Sequence, residues 1–205
     1  MACVRLVLAS ASPRRAELMR AAGFVFDTLA AAVDERVRSG ELPDAYVRRL
    51  AMEKSAGAMA LVTPSRTRAG QGSGEESRDS VVVLGADTAV VIEGEILGKP
   101  RDDPDAEWML RRLSGRRHEV MTGVSLRRGL VELGTVVTTA VDCRALTDAD
   151  VRWYVASGEG RDKAGAYAIQ GLASRFIPHI EGSYSNVVGL PIACVFELLE
   201  RIRAF

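Results

Sequence analysis

Apolar residues follow two patterns along the chain, and the two patterns alternate. Short continuous runs of Val, Leu and Ile are typical of buried strands, whereas apolar residues spaced three and four apart are typical of helices with one buried face. The runs predict strands at Val4–Ala9, Phe24–Leu29, Glu119–Leu126, Val131–Cys143, Ala166–Gln170 and Arg175–Ile180. Helical spacing recurs between these runs, so the pattern predicts an α/β protein.

Helix positions are predicted from this spacing together with capping residues. Ser12 is a favourable N-cap with Pro13 at the first helical position, and Thr147–Asp150 resembles a capping box. The predicted helices begin at Pro13, Asp44, Asp103, Asp148 and Ile192. In the second of them, Asp44–Val62, Lys54 falls on the apolar stripe of Val47, Leu50, Ala51, Ala58 and Leu61.

The stretch Val81–Pro100 carries the clearest indication of chemistry. Val81–Leu84 predicts a buried strand, and a second apolar run, Ala89–Ile92, follows after Gly-Ala-Asp-Thr. An ionised carboxylate in such surroundings is costly unless a cation, a metal or a proton accompanies it. Asp87 is therefore a candidate metal ligand or base, and the rest of the chain must supply its partner.

Composition excludes several classes of function. Lys plus Arg equals Asp plus Glu at 27 each, and aromatic residues make up 5%, so neither nucleic acid nor a membrane surface is an expected partner. Cys3, Cys143 and Cys194 form no CxxC pair, which favours reduced thiols in a cytoplasmic protein over disulfides or zinc. No signal peptide or membrane span is predicted.

The length of 205 residues predicts a single domain spanning 1–205. Within it, Pro64–Asp79 is rich in Gly, Ser and charged residues and lacks apolar periodicity. This segment is predicted to be a mobile surface insert.

Several cations lie in positions that suit an anion. Ser10–Arg15 joins a predicted strand to a helix, where free backbone N–H groups beside Arg14 and Arg15 suit phosphate; a capped helix with solvated arginines is the alternative. Lys54, Lys99 and Lys163 lie beside apolar or turn sequence. Each alone is more often a surface charge, but together with the arginines they suit a polyanion.

Further acidic and amide groups complete the candidate set. Asp34 and Glu35 form either a second acidic contribution or a hydrated turn; Mg²⁺ prefers one or two carboxylates plus phosphate oxygens. Gln170 offers an amide suited to a base edge, and Tyr167 is either a stacking ring or a core residue.

No G-x-S-x-G or Walker loop is present. Phosphate chemistry, with a carboxylate base acting on water, is therefore favoured.

Five stretches in order resemble the Maf family of nucleoside triphosphate pyrophosphatases: LASASPRRAEL, LGADTAV with ILGKP, LSGRRHEVMTGV, YVASGEGRDKAGAYAIQG and GSYSNVVGLP. The resemblance implies an elongated, twisted mixed sheet flanked by helices, with two lobes around a deep cleft, similar to the inosine-triphosphate pyrophosphatases. It also implies a divalent metal (Mg or Mn), hydrolysis of a nucleoside triphosphate to monophosphate and pyrophosphate, and a cytoplasmic homodimer. A nucleotide-binding regulator of cell division, acting in septum formation, is the alternative that the family name suggests.

The resemblance also implies roles for individual residues. Asp87 matches the family's proton acceptor. Three residues match positions tied to substrate choice: Arg14, Thr88 and Gln170. The basic positions of the cleft are matched by Lys54, Lys99 and Lys163. Its acidic position is matched by Asp34 or Glu35. The DKAGAY-x-IQG form resembles the group acting on dTTP and UTP rather than on 7-methyl-GTP; CTP and modified pyrimidine nucleotides are further candidates.

Overall fold

The computed structural model describes residues 4–62 and 80–203. The strands are β1 (Arg5–Ala9), β2 (Asp27–Thr28), β3 (Val81–Ile92), β4 (Glu95–Leu97), β5 (Arg117–Arg128), β6 (Val131–Asp142) and β7 (His179–Glu181). The helices are α1 (Pro13–Ala21), α2 (Pro43–Val62), α3 (Asp103–Leu113), α4 (Asp148–Ala156), α5 (Tyr184–Val188) and α6 (Ile192–Arg203). The insert predicted at 64–79 and Cys3 lie outside the described residues.

The strands form one mixed sheet in the order β2-β1-β3-β5-β6-β7, with β4 also paired to β3. Strand β1 runs parallel to β2 and β3, whereas the pairs of β3 with β5, β5 with β6 and β6 with β7 are antiparallel. The predicted α/β class, with a mixed sheet flanked by helices, is confirmed. The division into two lobes stays a prediction.

Strand β3 lies at the centre of the sheet and is buried on both faces. Its side chains alternate between the faces, so Val81 and Val83 pack against Ala58 and Met59 of α2. On the other face Val82 and Leu84 pack in a cluster with residues of α1 and α6. Burial on both faces explains why the strand has a nearly continuous apolar sequence.

Helix α2 crosses this sheet at unusually close range because glycines lie beneath it. A Cβ atom on Gly85 would lie 2.2 Å from the carbonyl oxygen of Ala51, and one on Gly123 would lie 2.1 Å from that of Val47. Both distances are far below van der Waals contact, so no other residue fits without moving the helix. This close approach brings the turn of α2 that carries Lys54 down onto β3.

Several predicted elements need correction. Phe24–Leu29 contributes only the two residues of β2. Ala166–Gln170 is not a strand: Ala166 ends a 3₁₀ turn with φ of 57°, and residues 169–170 lie in the next turn. Most of Arg175–Ile180 is also not a strand, because a 3₁₀ turn occupies Leu172–Phe176 and strand pairing begins only at His179.

Two predictions about single residues also differ from the structure. The apolar spacing of α2 predicts that Leu61 is buried, but its side chain is 61% exposed. Ser12 is the N-cap of α1, as predicted, but its side chain makes no capping bond; instead its backbone N–H donates to Ser10 Oγ at 3.1 Å. Within the described ranges no helix is long and apolar enough to cross a membrane.

Candidate active site

A gap in the pairing of β3 defines the site. Strand β1 ends at Ala9, opposite Gly85, and β4 begins to pair only at Val90. Among the described strands, none pairs with residues 86–89 on this side, and a cavity of about 540 Å³ opens there. The predicted site residues that line it are Ser10, Arg14, Arg15, Glu35, Lys54, Asp87, Thr88, Lys99, Lys163 and Gln170.

Asp87 and Lys54 form the buried centre of this cavity. Asp87 is 8% exposed, and Lys54 Nζ lies 2.6 Å from its Oδ1. The same Nζ lies 2.6 Å from Glu35 Oε1, so one ammonium group bridges two carboxylates. Burial acts to raise the pKa of Glu35, but the hydrogen bond and charge of Lys54 outweigh it and the pKa is lowered. Lys54 is therefore the cation that the burial of Asp87 requires.

Arg15 and Thr88 build the opposite wall. The Arg15 guanidinium donates to the carbonyl of Ala86 and to that of Gly189, both at 2.8 Å, and to Thr88 Oγ1 at 3.0 Å. Thr88 Oγ1 in turn shares a hydrogen bond of 2.9 Å with Thr122. Burial lowers the pKa of Arg15, while the charge of Asp87 acts against that change. These bonds join α1, β3 and the end of α5 into one wall.

The remaining cations surround the mouth of the cavity. Arg14 lies 3.4 Å from Asp162, Lys163 Nζ donates to the carbonyl of Glu159 at 2.7 Å, and Lys99 is exposed. The lining includes five Arg and Lys side chains against three carboxylates. The resulting positive charge suits a ligand that carries several negative charges.

Gln170 lies at the exposed rim, on a loop that Glu159 holds in place. Glu159 accepts hydrogen bonds from Tyr154 Oη at 2.7 Å and from the N–H of Leu172 at 2.9 Å. Tyr167, the other candidate in this loop, is 8% exposed, and its hydroxyl bonds to His118 Nε2 at 2.8 Å. Tyr167 is therefore a core residue that also borders the cavity.

Asp34 is the one predicted site residue that does not line the cavity. Its carboxylate is paired with Arg36 at 2.7 Å, and hydrogen bonds from Arg36 lower its pKa to about 2. Glu35 is thus the member of the acidic pair that faces Asp87. The prediction missed Tyr46, which also lines the cavity and lies eight residues before Lys54 on the same face of α2. That spacing was the signal available in the sequence.

A family model described as "Maf-like protein" matches residues 5–202. The chain belongs to the Maf family. A dTTP/UTP pyrophosphatase of Anaeromyxobacter dehalogenans (strain 2CP-C) is 52% identical over 201 residues, which cover 96% of this Maf chain and 93% of the relative. A protein of the same name from Shewanella oneidensis is 48% identical, covering 96% of the chain and 97% of the relative. One from Symbiobacterium thermophilum is 46% identical over 195 residues, 95% and 92% of the two chains.

The donor set of this Maf chain restricts the kind of metal site that it offers. In residues 4–62 and 80–203 there is no group of three or more His, Cys, Asp or Glu side chains that would enclose a metal ion. Glu35 and Asp87 nevertheless converge on one point, the Lys54 ammonium. Two carboxylates with room for water and phosphate oxygens match the preference of Mg²⁺ rather than a site made of protein ligands alone.

Proposed function

We propose that this chain hydrolyses dTTP and UTP to the monophosphate and pyrophosphate, as house-cleaning of the nucleotide pool. The observation that carries the proposal is the position of Asp87: a buried carboxylate, bonded to Lys54, in the unpaired gap of β3 and beneath a positively charged cavity. The relatives named dTTP/UTP pyrophosphatase match nearly the whole chain, which supports the same substrates here.

Asp87 acts as the general base in this proposal. Lys54 occupies its Oδ1, and no described residue donates to Oδ2. Oδ2 accepts a proton from water; the water oxygen bonds to the α-phosphorus, the bond from that phosphorus to the bridging oxygen breaks, and pyrophosphate leaves. Arg14, Lys99 and Lys163 bind the phosphates, because all three line the cavity mouth. A positioned base of this kind contributes about 10²–10⁴-fold to the rate.

The reaction also uses a divalent cation, Mg²⁺ or Mn²⁺, held by Glu35 and Asp87. When bound, such an ion neutralises phosphate charge and polarises the phosphoryl oxygens. Both carboxylates already contact one cationic group, the Lys54 ammonium.

Gln170 selects the base in this proposal. Its amide carries both donor and acceptor groups, as the edge of a pyrimidine does, and it lies at the cavity rim on the loop that Glu159 holds. UTP and dTTP are the expected substrates, with CTP and modified pyrimidine nucleotides as further candidates. We also infer a homodimer acting in the cytoplasm, without nucleic acid as a partner.

Pyrophosphate release from a panel of nucleoside triphosphates tests the proposal. The purified chain is incubated with dTTP, UTP, CTP, purine triphosphates or 7-methyl-GTP in the presence of Mg²⁺ or Mn²⁺. The expected result is release of pyrophosphate that is fastest with dTTP and UTP and abolished by a chelator. Preference for 7-methyl-GTP would contradict the substrate assignment, and no hydrolysis of any member would contradict the reaction.

A further inference from the structure

The segment that carries Glu35 has neither helical nor strand pairing, yet three of its carbonyl groups are bonded to one helix. The carbonyl oxygens of three consecutive residues accept hydrogen bonds from side chains of α2. Arg49 donates to Asp34 at 3.4 Å and to Arg36 at 3.1 Å, and Tyr46 Oη donates to Glu35 at 2.9 Å. Backbone groups that a strand or helix would normally satisfy are satisfied here by two side chains.

Arg49 is itself held firmly. Its side chain is 13% exposed, and it binds both carboxylate oxygens of Glu41, at 2.6 and 2.8 Å. Glu53 lies 3.3 Å away on the next turn of α2. The hydrogen bond from Arg49 to Glu41 is the main reason that the pKa of Arg49 is raised above its usual value. A guanidinium with these fixed partners provides a rigid anchor.

Glu35 needs such an anchor because its side chain is not confined otherwise. It is 52% exposed, and its one carboxylate contact among the described residues is Lys54. The ion pair with Lys54 engages only Oε1 of a half-exposed side chain, so it does not by itself fix the backbone that carries Glu35. The backbone bonds must therefore determine where the carboxylate lies.

We propose that Arg49 and Tyr46 are positioning residues that hold Glu35 in reach of Asp87. The inference rests on the proposed function, in which Glu35 and Asp87 bind the divalent cation. Neither guanidinium nor hydroxyl binds the ion or the substrate. Both act through the backbone of residues 34–36, Tyr46 at Glu35 and Arg49 at its two neighbours. Removing a partner that orients a metal ligand typically changes metal affinity by about 10–100-fold.

Two variants distinguish loss of the positioning hydrogen bonds from a general loss of stability. Arg49→Lys keeps a positive charge beside Glu41 but loses the planar fork that bonds to Glu41 and to the two backbone carbonyls together. Tyr46→Phe removes one hydroxyl while keeping the ring. The control is Arg36→Gln, which removes an exposed ion pair from the same segment without affecting its bonds to α2. Binding of Mn²⁺ alone is measured by electron paramagnetic resonance, and exchange of the amide hydrogens of residues 33–38 by mass spectrometry.

We expect Arg49→Lys to weaken Mn²⁺ binding about tenfold and Tyr46→Phe severalfold. Both should speed hydrogen exchange at 33–38 while β3 exchanges as in the wild type, and Arg36→Gln should match the wild type in both measurements. Suppose that Glu35→Gln loses Mn²⁺ affinity while Arg49→Lys and Tyr46→Phe keep the wild-type affinity. That result would overturn the positioning role of Arg49 and Tyr46 but leave the proposed metal site intact. If Glu35→Gln also binds Mn²⁺ normally, the proposed metal site fails and this inference fails with it.

Discussion

Replacing Gly85 with alanine tests the packing that brings Lys54 to Asp87. The added methyl group would lie 2.2 Å from the carbonyl oxygen of Ala51 and 2.7 Å from the backbone nitrogen of Ser55. Ordinary contact begins near 3.4 Å, so the helix must lift by about 1.2 Å at this turn. Both neighbours are backbone atoms of α2 and cannot rotate away. The displaced turn is the one that carries Lys54.

The expected cost of Gly85→Ala lies at the upper end of the range for overpacking, about 3 kcal/mol. For a domain of this size, each kcal/mol lowers the melting temperature by roughly 2–4 °C, so Gly85→Ala should melt roughly 6–12 °C below the wild type. The free energy of unfolding is measured in urea and the melting temperature by circular dichroism. Turnover should also fall, because Lys54 leaves Asp87.

Gly98→Ala is the matched control for stability. Gly98 also borders the cavity, but a Cβ atom there meets nothing within 4 Å. Its free energy of unfolding should stay within about 0.5 kcal/mol of the wild type. If Gly85→Ala and Gly98→Ala melt within 2 °C of each other (on the order of 1 kcal/mol or less), then the close approach of α2 does not determine the geometry of the site.

Two further predictions concern specificity and pH. Gln170→Ala should reduce the ratio of kcat/KM for UTP over purine triphosphates, whereas Leu172→Ala, on the same loop but outside the cavity, should not; equal ratios in both variants would remove Gln170 from base selection. Burial lowers the pKa of His118 to about 4, and the unfolded chain has a pKa near 6.5. The unfolded state therefore binds the proton more tightly, so stability should fall below pH 6.5 by up to about 1.4 kcal/mol per pH unit until about pH 4. Urea unfolding of His118→Gln should lack this slope, and an identical slope in both proteins would show that another group causes it.

The sequence predicted that Asp87 needs a compensating charge and named Lys54 among the candidate cations, but it did not predict that these two residues pair. A carboxylate between two apolar runs requires a compensating charge, and Lys54 was recognisable as a lysine on a buried stripe. Asp87 and Lys54 are 33 positions apart, however, and meet only because glycine lets α2 approach β3 closely. No local pattern encodes that distance.

The ambiguity between Asp34 and Glu35 has the same origin. Neighbouring residues in an irregular segment differ in direction, and the direction here depends on bonds from Arg49 and Tyr46. The error at Ala166–Gln170 is similar, because the backbone N–H of Ala168 donates to the hydroxyl of Tyr154 instead of to a neighbouring strand. In both segments, tertiary contacts override the local sequence preference.

Asp87→Asn tests the assignment of Asp87 as the base most directly. The amide keeps the size of the side chain but cannot accept the proton of the attacking water, so the turnover of UTP in saturating Mg²⁺ should fall at least about 100-fold. Circular dichroism and the melting temperature should show that the variant remains folded. Near-normal pyrophosphate release by folded Asp87→Asn would contradict the account.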